Sequence, residues 1–266
     1  MEDWLGIAGK VVIVTGGSSG IGAAVVRSLL EQGTCVVNAD LNPSQDEHEN
    51  LMFVKTDVTS LADVKNVVAQ TKERFGRLDG VVNNAGINIP RLLVDAKEPE
   101  SQFELSEKIF DKMFAINQKG VYLMSQAVGR ELAAQQSGVI INMSSESGLE
   151  GSEGQSAYAA TKAAVNSYTR SWAKELGKHH VRVVGIAPGI MEETGLRTIE
   201  YETALAYTRG ITVEKLREGY SSTSTTPLGR SGKLTEVADL VCYLLSDRAS
   251  YITGVTYNVA GGKTRG

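Results

Sequence analysis

Lys10-Val-Val-Ile-Val-Thr-Gly-Gly-Ser-Ser-Gly-Ile-Gly22 reads as a short β-branched strand that runs straight into a glycine turn, with Ser19-Gly-Ile-Gly22 opening a helical run to Glu31. A second strand, Cys35-Val-Val-Asn-Ala-Asp40, follows Gly33. The alternation continues with strands at Met52–Lys55, Leu78–Asn83, Val139–Met143, Val181–Ala187 and Val255–Val259. Helical runs fall at Leu61–Phe75, Glu107–Gln135, Ala157–Lys178 and Glu236–Leu245. Strands that are nearly continuous Val/Ile runs, separated by helices, bury both faces and pair in parallel. The pattern predicts an α/β fold: a single doubly wound domain over residues 1–266, with a seven-stranded parallel sheet and helices on both faces. The stretch from Pro188 to about Pro227 is too long for a routine connection and is expected to act as a substrate lid.

Composition narrows the partners. The chain has 266 residues, with 27 Lys plus Arg against 31 Asp plus Glu, a formal charge of −4. No basic block offers the footprint that nucleic acid or an anionic membrane requires, so a small molecule is the expected partner. Cys35 and Cys242 stand alone, and the histidines are His48, His179 and His180, so neither a disulfide framework nor a metal site is expected. The acidic start, Met1-Glu2-Asp3-Trp4, is unlike a signal peptide, and no apolar run reaches membrane-spanning length. A cytoplasmic protein is expected.

Small residues between the first strand and the first helix let a backbone approach a pyrophosphate, whose charge then meets the amides and dipole of a helix N-terminus. Gly16, Ser18, Ser19, Gly20 and Ile21 are therefore expected to hold a dinucleotide, in the Rossmann manner. Asp40 ends the second strand, where a carboxylate can accept both adenosine ribose hydroxyls. From Ser28 to Val54 there is no Lys or Arg to hold a 2′-phosphate, so the expected cofactor is NAD rather than NADP. Asp57 and the run Asn83-Asn84-Ala85-Gly86 fall at the same edge of the sheet, although Asp57 alone could equally cap the next helix.

Tyr158 and Lys162 lie four apart on one helix, so their side chains rise from the same face. A phenol used as a base near neutrality needs its pKa lowered by roughly three units, about 4 kcal/mol. An ammonium at ~4 Å in an effective dielectric of ~20 supplies about that much. The pair is a candidate acid/base device, although the same spacing is common on ordinary helices.

The glycine turn at Thr15–Gly22, Asn83–Gly86, Asn117, Ser145, Tyr158-Ala-Ala-Thr-Lys162 and Pro188-Gly189 together resemble the short-chain dehydrogenase/reductase family, across essentially the whole chain. The resemblance implies that Tyr158 exchanges a proton with the substrate oxygen and that Ser145 hydrogen-bonds that oxygen. It implies that Lys162 binds the nicotinamide ribose and lowers the Tyr158 pKa. Asn117 would open its helix locally and hold a water that connects Lys162 to solvent. Asp57 and Val58 would lie along the adenine, Asn84, Ala85 and Gly86 along the adenosine ribose, and Ile190 after Pro188-Gly189 at the carboxamide. Glu193 departs from the family pattern, which commonly places threonine there; Thr194 comes one position later.

The residues alone say little about the substrate. The lid carries Arg197, Arg209, Lys215 and Arg217 against six glutamates, net −2. A narrower resemblance, carried by Ser144–Gln155, Val184–Arg197, Leu216–Tyr220 and the tail Ala260–Gly266, is to the family branch that interconverts D-sorbitol 6-phosphate and D-fructose 6-phosphate. It implies Glu146, Glu150 and Glu153 for polyol hydroxyls, with Arg91, Arg197, Lys263 or Arg265 for the phosphate. An unphosphorylated polyol or another secondary alcohol is the alternative, and a non-catalytic dinucleotide sensor the rival of another class. The long helices from Met113 to Leu132 and from Ala157 to Leu176 carry stripes of small and apolar residues, and the resemblance implies a homotetramer.

Overall fold

A computed structural model describes residues 4–192, 194–195, 197–222 and 225–264. Glu193 and Arg265 lie outside the described residues. The strands β1 (Val11–Thr15), β2 (Cys35–Asp40), β3 (Leu51–Lys55), β4 (Gly80–Asn83), β5 (Gly138–Met143), β6 (Val181–Pro188) and β7 (Thr256–Val259) form one seven-stranded sheet. Their order is β3-β2-β1-β4-β5-β6-β7, and every neighbouring pair is parallel. The chain reverses its direction of travel across the sheet between β1 and β4, which opens a crevice beyond their carboxyl ends.

Each strand feeds two cores because successive side chains point to opposite faces. Val12 and Val14 of β1, with Val139 and Ile141 of β5, pack on one face under α1 (Gly20–Glu31). On the other face lie Ile13 and Ile140, against α2 (Leu61–Phe75). Full burial of such side chains contributes about 1.5–3 kcal/mol each, enough to fix which face each strand presents. The long helical run expected after β4 is present but divided into α3 (Glu107–Phe114), a π-helical turn (Ala115–Gly120) and α4 (Val121–Ala134). A short α5 (Ser147–Glu150) precedes α6 (Ser156–Leu176).

The stretch after β6, expected as a lid, forms α7 (Ile199–Thr208) and α8 (Val213–Ser222) before α9 (Leu234–Leu245) and β7. Thr198 starts α7 by accepting a hydrogen bond from the Tyr201 N–H at 3.2 Å. Leu205, Ala206 and Leu216 form a small core of their own, with Tyr201, Ile211, Val213 and Tyr220 packed on it. That core is separate from the two sheet cores, so no long apolar stripe marks these helices in the sequence. α9 lies with α1 over the first face, through Val237, Val241 and Leu244, and α4 and α6 join α2 over the second. Among the described residues, no helix is long and apolar enough to cross a membrane.

Candidate active site

The crevice at the switch point is a cavity of about 500 Å³. Its floor is the turn after β1. Gly16 has φ +65°, which a side chain would strain, and a Cβ there would lie 2.9 Å from the Ala85 Cα. Gly22 lets α1 close on that turn: a Cβ would lie 2.0 Å from the Gly16 carbonyl oxygen and 2.5 Å from Asn84 Nδ2. Asn84 fastens the turns after β1 and β4 together, donating from Nδ2 to the carbonyls of Thr15 and Gly16 at 3.1 and 3.0 Å. Thr15 Oγ1 completes the junction by accepting from the N–H groups of Asn84 and Ala85, both at 3.0 Å. The result is a rigid cradle at a helix N-terminus whose first turn carries no acidic side chain.

Asp40 lines the same cavity at the end of β2. Its carboxylate accepts from the Ser18 N–H at 3.1 Å and the Asn42 N–H at 3.3 Å, which holds its oxygens at the rim. Ser18 itself stands behind the wall, with its hydroxyl donating to the Asn42 carbonyl and accepting from Asn38 Nδ2. Asp57 lines the cavity while its Oδ1 accepts from the backbone and the hydroxyl of Thr59, both at 2.8 Å. Its carboxylate therefore shapes the turn before α2.

At the other end, Ser145, Tyr158 and Lys162 converge. Lys162 is buried, and its ammonium donates to the Met143 carbonyl at 2.7 Å, at the end of β5. Burial brings its pKa down to about 8, so it remains mostly charged at neutral pH. Its Nζ lies 5.7 Å from the centre of the Tyr158 ring. Burial pushes the Tyr158 phenol up to about 12, against the hydrogen bond from Ser145, which favours the phenolate. The Lys162 ammonium is anchored on the Met143 carbonyl, and burial is the largest influence on the phenol. The protonated phenol is the resting form.

Asn117 is fully buried in the π-helical turn and stands behind the cavity wall. Its Oδ1 accepts from the Ile87 N–H and its Nδ2 donates to the Ile87 carbonyl, each at 2.8 Å. The widened turn presents Asn117 sideways to the loop after β4. A Cβ on Gly86 would lie 3.3 Å from Asn117 Oδ1 and 3.6 Å from Lys162 Nζ, so the two side chains meet across a bare glycine.

The sequence profile described as short chain dehydrogenase matches residues 10–204. The chain belongs to the short-chain dehydrogenase family. It is 61% identical over 268 residues to a sorbitol-6-phosphate 2-dehydrogenase of Klebsiella pneumoniae, with all of each chain covered. The crystal structure of levodione reductase superposes with a TM-score of 0.83 at 32% identity, covering 97% of this chain and 98% of that one. A 3-ketoacyl-(acyl-carrier-protein) reductase from Brucella melitensis, complexed with NADH, superposes with a TM-score of 0.81 at 28% identity, covering 97% and 100%. The protein is an oxidoreductase that uses a nicotinamide cofactor.

Most residues expected at a dehydrogenase site do line the cavity. Gly16, Ser19, Gly20 and Ile21 stand at one end with Asp40, Asp57 and Val58; Asn84, Ala85 and Gly86 occupy the middle. Pro188, Gly189 and Ile190 complete the wall after β6. Among the substrate candidates, Glu146, Glu150 and Arg197 line it; Glu153 and Arg91 do not. Arg91 is not on the wall, and its Nη1 donates to the neighbouring Pro90 carbonyl at 2.7 Å.

Glu146 and Lys263, expected separately for hydroxyls and phosphate, are bound to each other at 2.6 Å. Thr264 adds a second bond to Glu146 at 3.0 Å, so the tail is folded into the cleft beside Ser145. The residues overlooked in the sequence are Gln155, Tyr201, Leu205 and Tyr220, all on the wall, where Arg209, named only among the lid cations, joins them. Thr198 followed by Glu200 and Glu202 was a legible helix start, and Tyr201, Leu205 and Arg209 then repeat every four residues along one helical face.

Proposed function

We propose that the chain is an NAD-dependent sorbitol-6-phosphate 2-dehydrogenase, interconverting D-sorbitol 6-phosphate and D-fructose 6-phosphate. The observation that carries this reading is 61% identity over the whole of both chains to a relative of that name. The cradle fits a dinucleotide: small residues floor it where a Cβ would collide, and Asp40 holds carboxylate oxygens at its rim. That carboxylate suits the two ribose hydroxyls of NAD and repels the 2′-phosphate of NADP. When bound, NAD supplies the hydride acceptor.

The protein's own groups handle the proton. In reduction, the Tyr158 phenol donates to the substrate carbonyl oxygen, and the Ser145 hydroxyl holds that oxygen in place. In oxidation, the same proton returns to Tyr158. Lys162, charged and dry, stabilises the phenolate that forms between these steps and binds the nicotinamide ribose. Asn117 joins Lys162 to the solvent side through water. The region from Pro188 to Pro227 acts as the substrate lid within the single domain. The chain works as a cytoplasmic homotetramer; Phe110 of α3 and Tyr122 of α4 are exposed aromatics suited to an interface, and mass in solution tests this.

The test is formation of reduced nicotinamide from D-sorbitol 6-phosphate and from D-sorbitol, each with NAD and with NADP. Turnover of the phosphorylated substrate with NAD is expected, falling about 1,000-fold in Tyr158→Phe with NADH affinity retained. Turnover confined to the free polyol would overturn the phosphorylated substrate and keep the mechanism.

A further inference from the structure

The reacting C2 and the phosphate on C6 stand at opposite ends of the hexitol, so the phosphate must be held away from Tyr158. The cations within reach differ in what already holds them. Lys263 is neutralised by Glu146 at 2.6 Å. Arg217 is engaged by Glu202 through two hydrogen bonds at 2.9 and 2.7 Å. Arg197 donates one edge of its guanidinium to the Met191 carbonyl and lies 3.9 Å over the Tyr220 ring. Arg209 lines the cavity at the end of α7 with no side-chain acceptor among the described residues.

Tyr201, Leu205 and Arg209 lie along one face of α7 and all reach the cavity wall. Tyr201 is fastened by Gln155, three residues before Tyr158, through a 3.0 Å bond from Nε2 to its hydroxyl. That face therefore runs outward from the reacting centre toward Arg209. Arg197 and Arg209 are close to the same two phenols, since both draw the pKa values of Tyr201 and Tyr220 downward against burial.

We infer that Arg209, with the free edge of the stacked Arg197 beside it, is the seat of the substrate's phosphate. The inference rests on the phosphorylated substrate proposed above. A guanidinium meets a phosphate through paired charge-assisted hydrogen bonds, and the two arginines bring separate donor edges to the same end of the cleft. Tyr201 and Leu205 form the wall along which the carbon chain lies between Tyr158 and that seat. The free polyol has nothing to place there, so the pair sets specificity.

The experiment compares wild type with Arg209→Met and Arg209→Lys, reading kcat/KM for D-sorbitol 6-phosphate and for D-sorbitol with NAD. It is joined by calorimetric titration of inorganic phosphate into the NADH-saturated protein, where the pyrophosphate cradle is already filled. The ratio of the two kcat/KM values is expected to fall about 30-fold in Arg209→Met, mainly through KM, and to recover partly in Arg209→Lys. Phosphate binding should weaken in parallel. A ratio unchanged within about twofold of wild type, with phosphate affinity unchanged, overturns the seat. Wild type that ignores D-sorbitol 6-phosphate but binds phosphate through Arg209 keeps the seat and overturns the substrate; phosphate binding indifferent to Arg209 overturns the seat in either case.

Discussion

At the cofactor end of the cleft, the wall is backbone held by neighbouring backbone: the Gly16 N–H donates to the Ala39 carbonyl at 2.9 Å, and Asn84 Nδ2 bridges two carbonyls of the turn after β1. At the substrate end, the wall is side chains held by partners far away in the chain. Glu146 is tied to Lys263 on the wall, and behind it Asp95 is tied to Tyr207 of α7, each across more than one hundred residues. The first end is fixed by the sheet and leaves no volume to spare. The second is carried on α7 and α8 over a small core of their own, and can change its side chains while β1, β4 and β5 stay in place. One fold can therefore keep its hydride chemistry and exchange its substrate.

Two glycine substitutions test that contrast most severely. In Gly22→Ala the new methyl would meet the Gly16 carbonyl oxygen at 2.0 Å and Asn84 Nδ2 at 2.5 Å, and Asn84 is itself tied to the carbonyls of that turn. A loss of about 3 kcal/mol or more in urea unfolding is expected, together with weakened NADH binding. Gly219→Ala, in the interior of α8, meets nothing within 4 Å and lacks a positive φ. Helix propensity then predicts a gain of about 0.5–1 kcal/mol and an unaltered cofactor affinity. Equal losses at the two positions would break the comparison.

A smaller effect is expected at the rim of the rigid end. Asp40→Asn keeps the shape of the side chain and removes the charge that faces a 2′-phosphate. The kcat/KM ratio of NADP over NAD should rise about tenfold, as loss of roughly 1.4 kcal/mol of repulsion would give. A ratio that does not move would show that the loop after β2, rather than the carboxylate, selects the cofactor.

The same contrast explains what could be read from the sequence. Gly16, Gly20 and Gly22 lie within seven residues of one another, and Tyr158 and Lys162 are one helical turn apart, so local spacing alone carries their geometry. The break at Asn117 was also legible, as an amide followed shortly by a glycine within a long helical run. The pairing of Glu146 with Lys263 was not, because nothing local relates the residue after Ser145 to a tail that returns beside β7. Tyr201, and the placing of the lid cation Arg209 on the site wall, were missed for another reason. Their helix buries apolar residues against a core of a few side chains, so the period that betrays a sheet-covering helix is faint. Nor does spacing reveal the burial of Tyr158, which pushes its phenol the opposite way from a neighbouring ammonium.

The smallest expected effect lies in the 91–105 stretch. Asp95 is buried, and it accepts from the Ser101 hydroxyl at 2.6 Å and the Tyr207 hydroxyl at 2.7 Å. Phe103 stacks on the Tyr207 ring with centroids 4.0 Å apart. The loop after β4 is thus riveted to α7, the helix that carries Tyr201 and Arg209. The hydrogen bonds from Ser101 and Tyr207, with those of the Lys97 and Glu98 N–H groups, bring the Asp95 carboxyl down to about 2. A carboxyl depressed on folding adds stability above its unfolded pKa, near 3.8, and that contribution is lost as pH falls toward 2. The Tm gap between wild type and Asp95→Asn should accordingly be small, ~2 °C, steady from neutral pH down to about 5, and should narrow below about 4. A gap that stays constant on acidification would mean that the Asp95 charge adds nothing, and that α7 is fastened to the loop through the Phe103–Tyr207 stack instead.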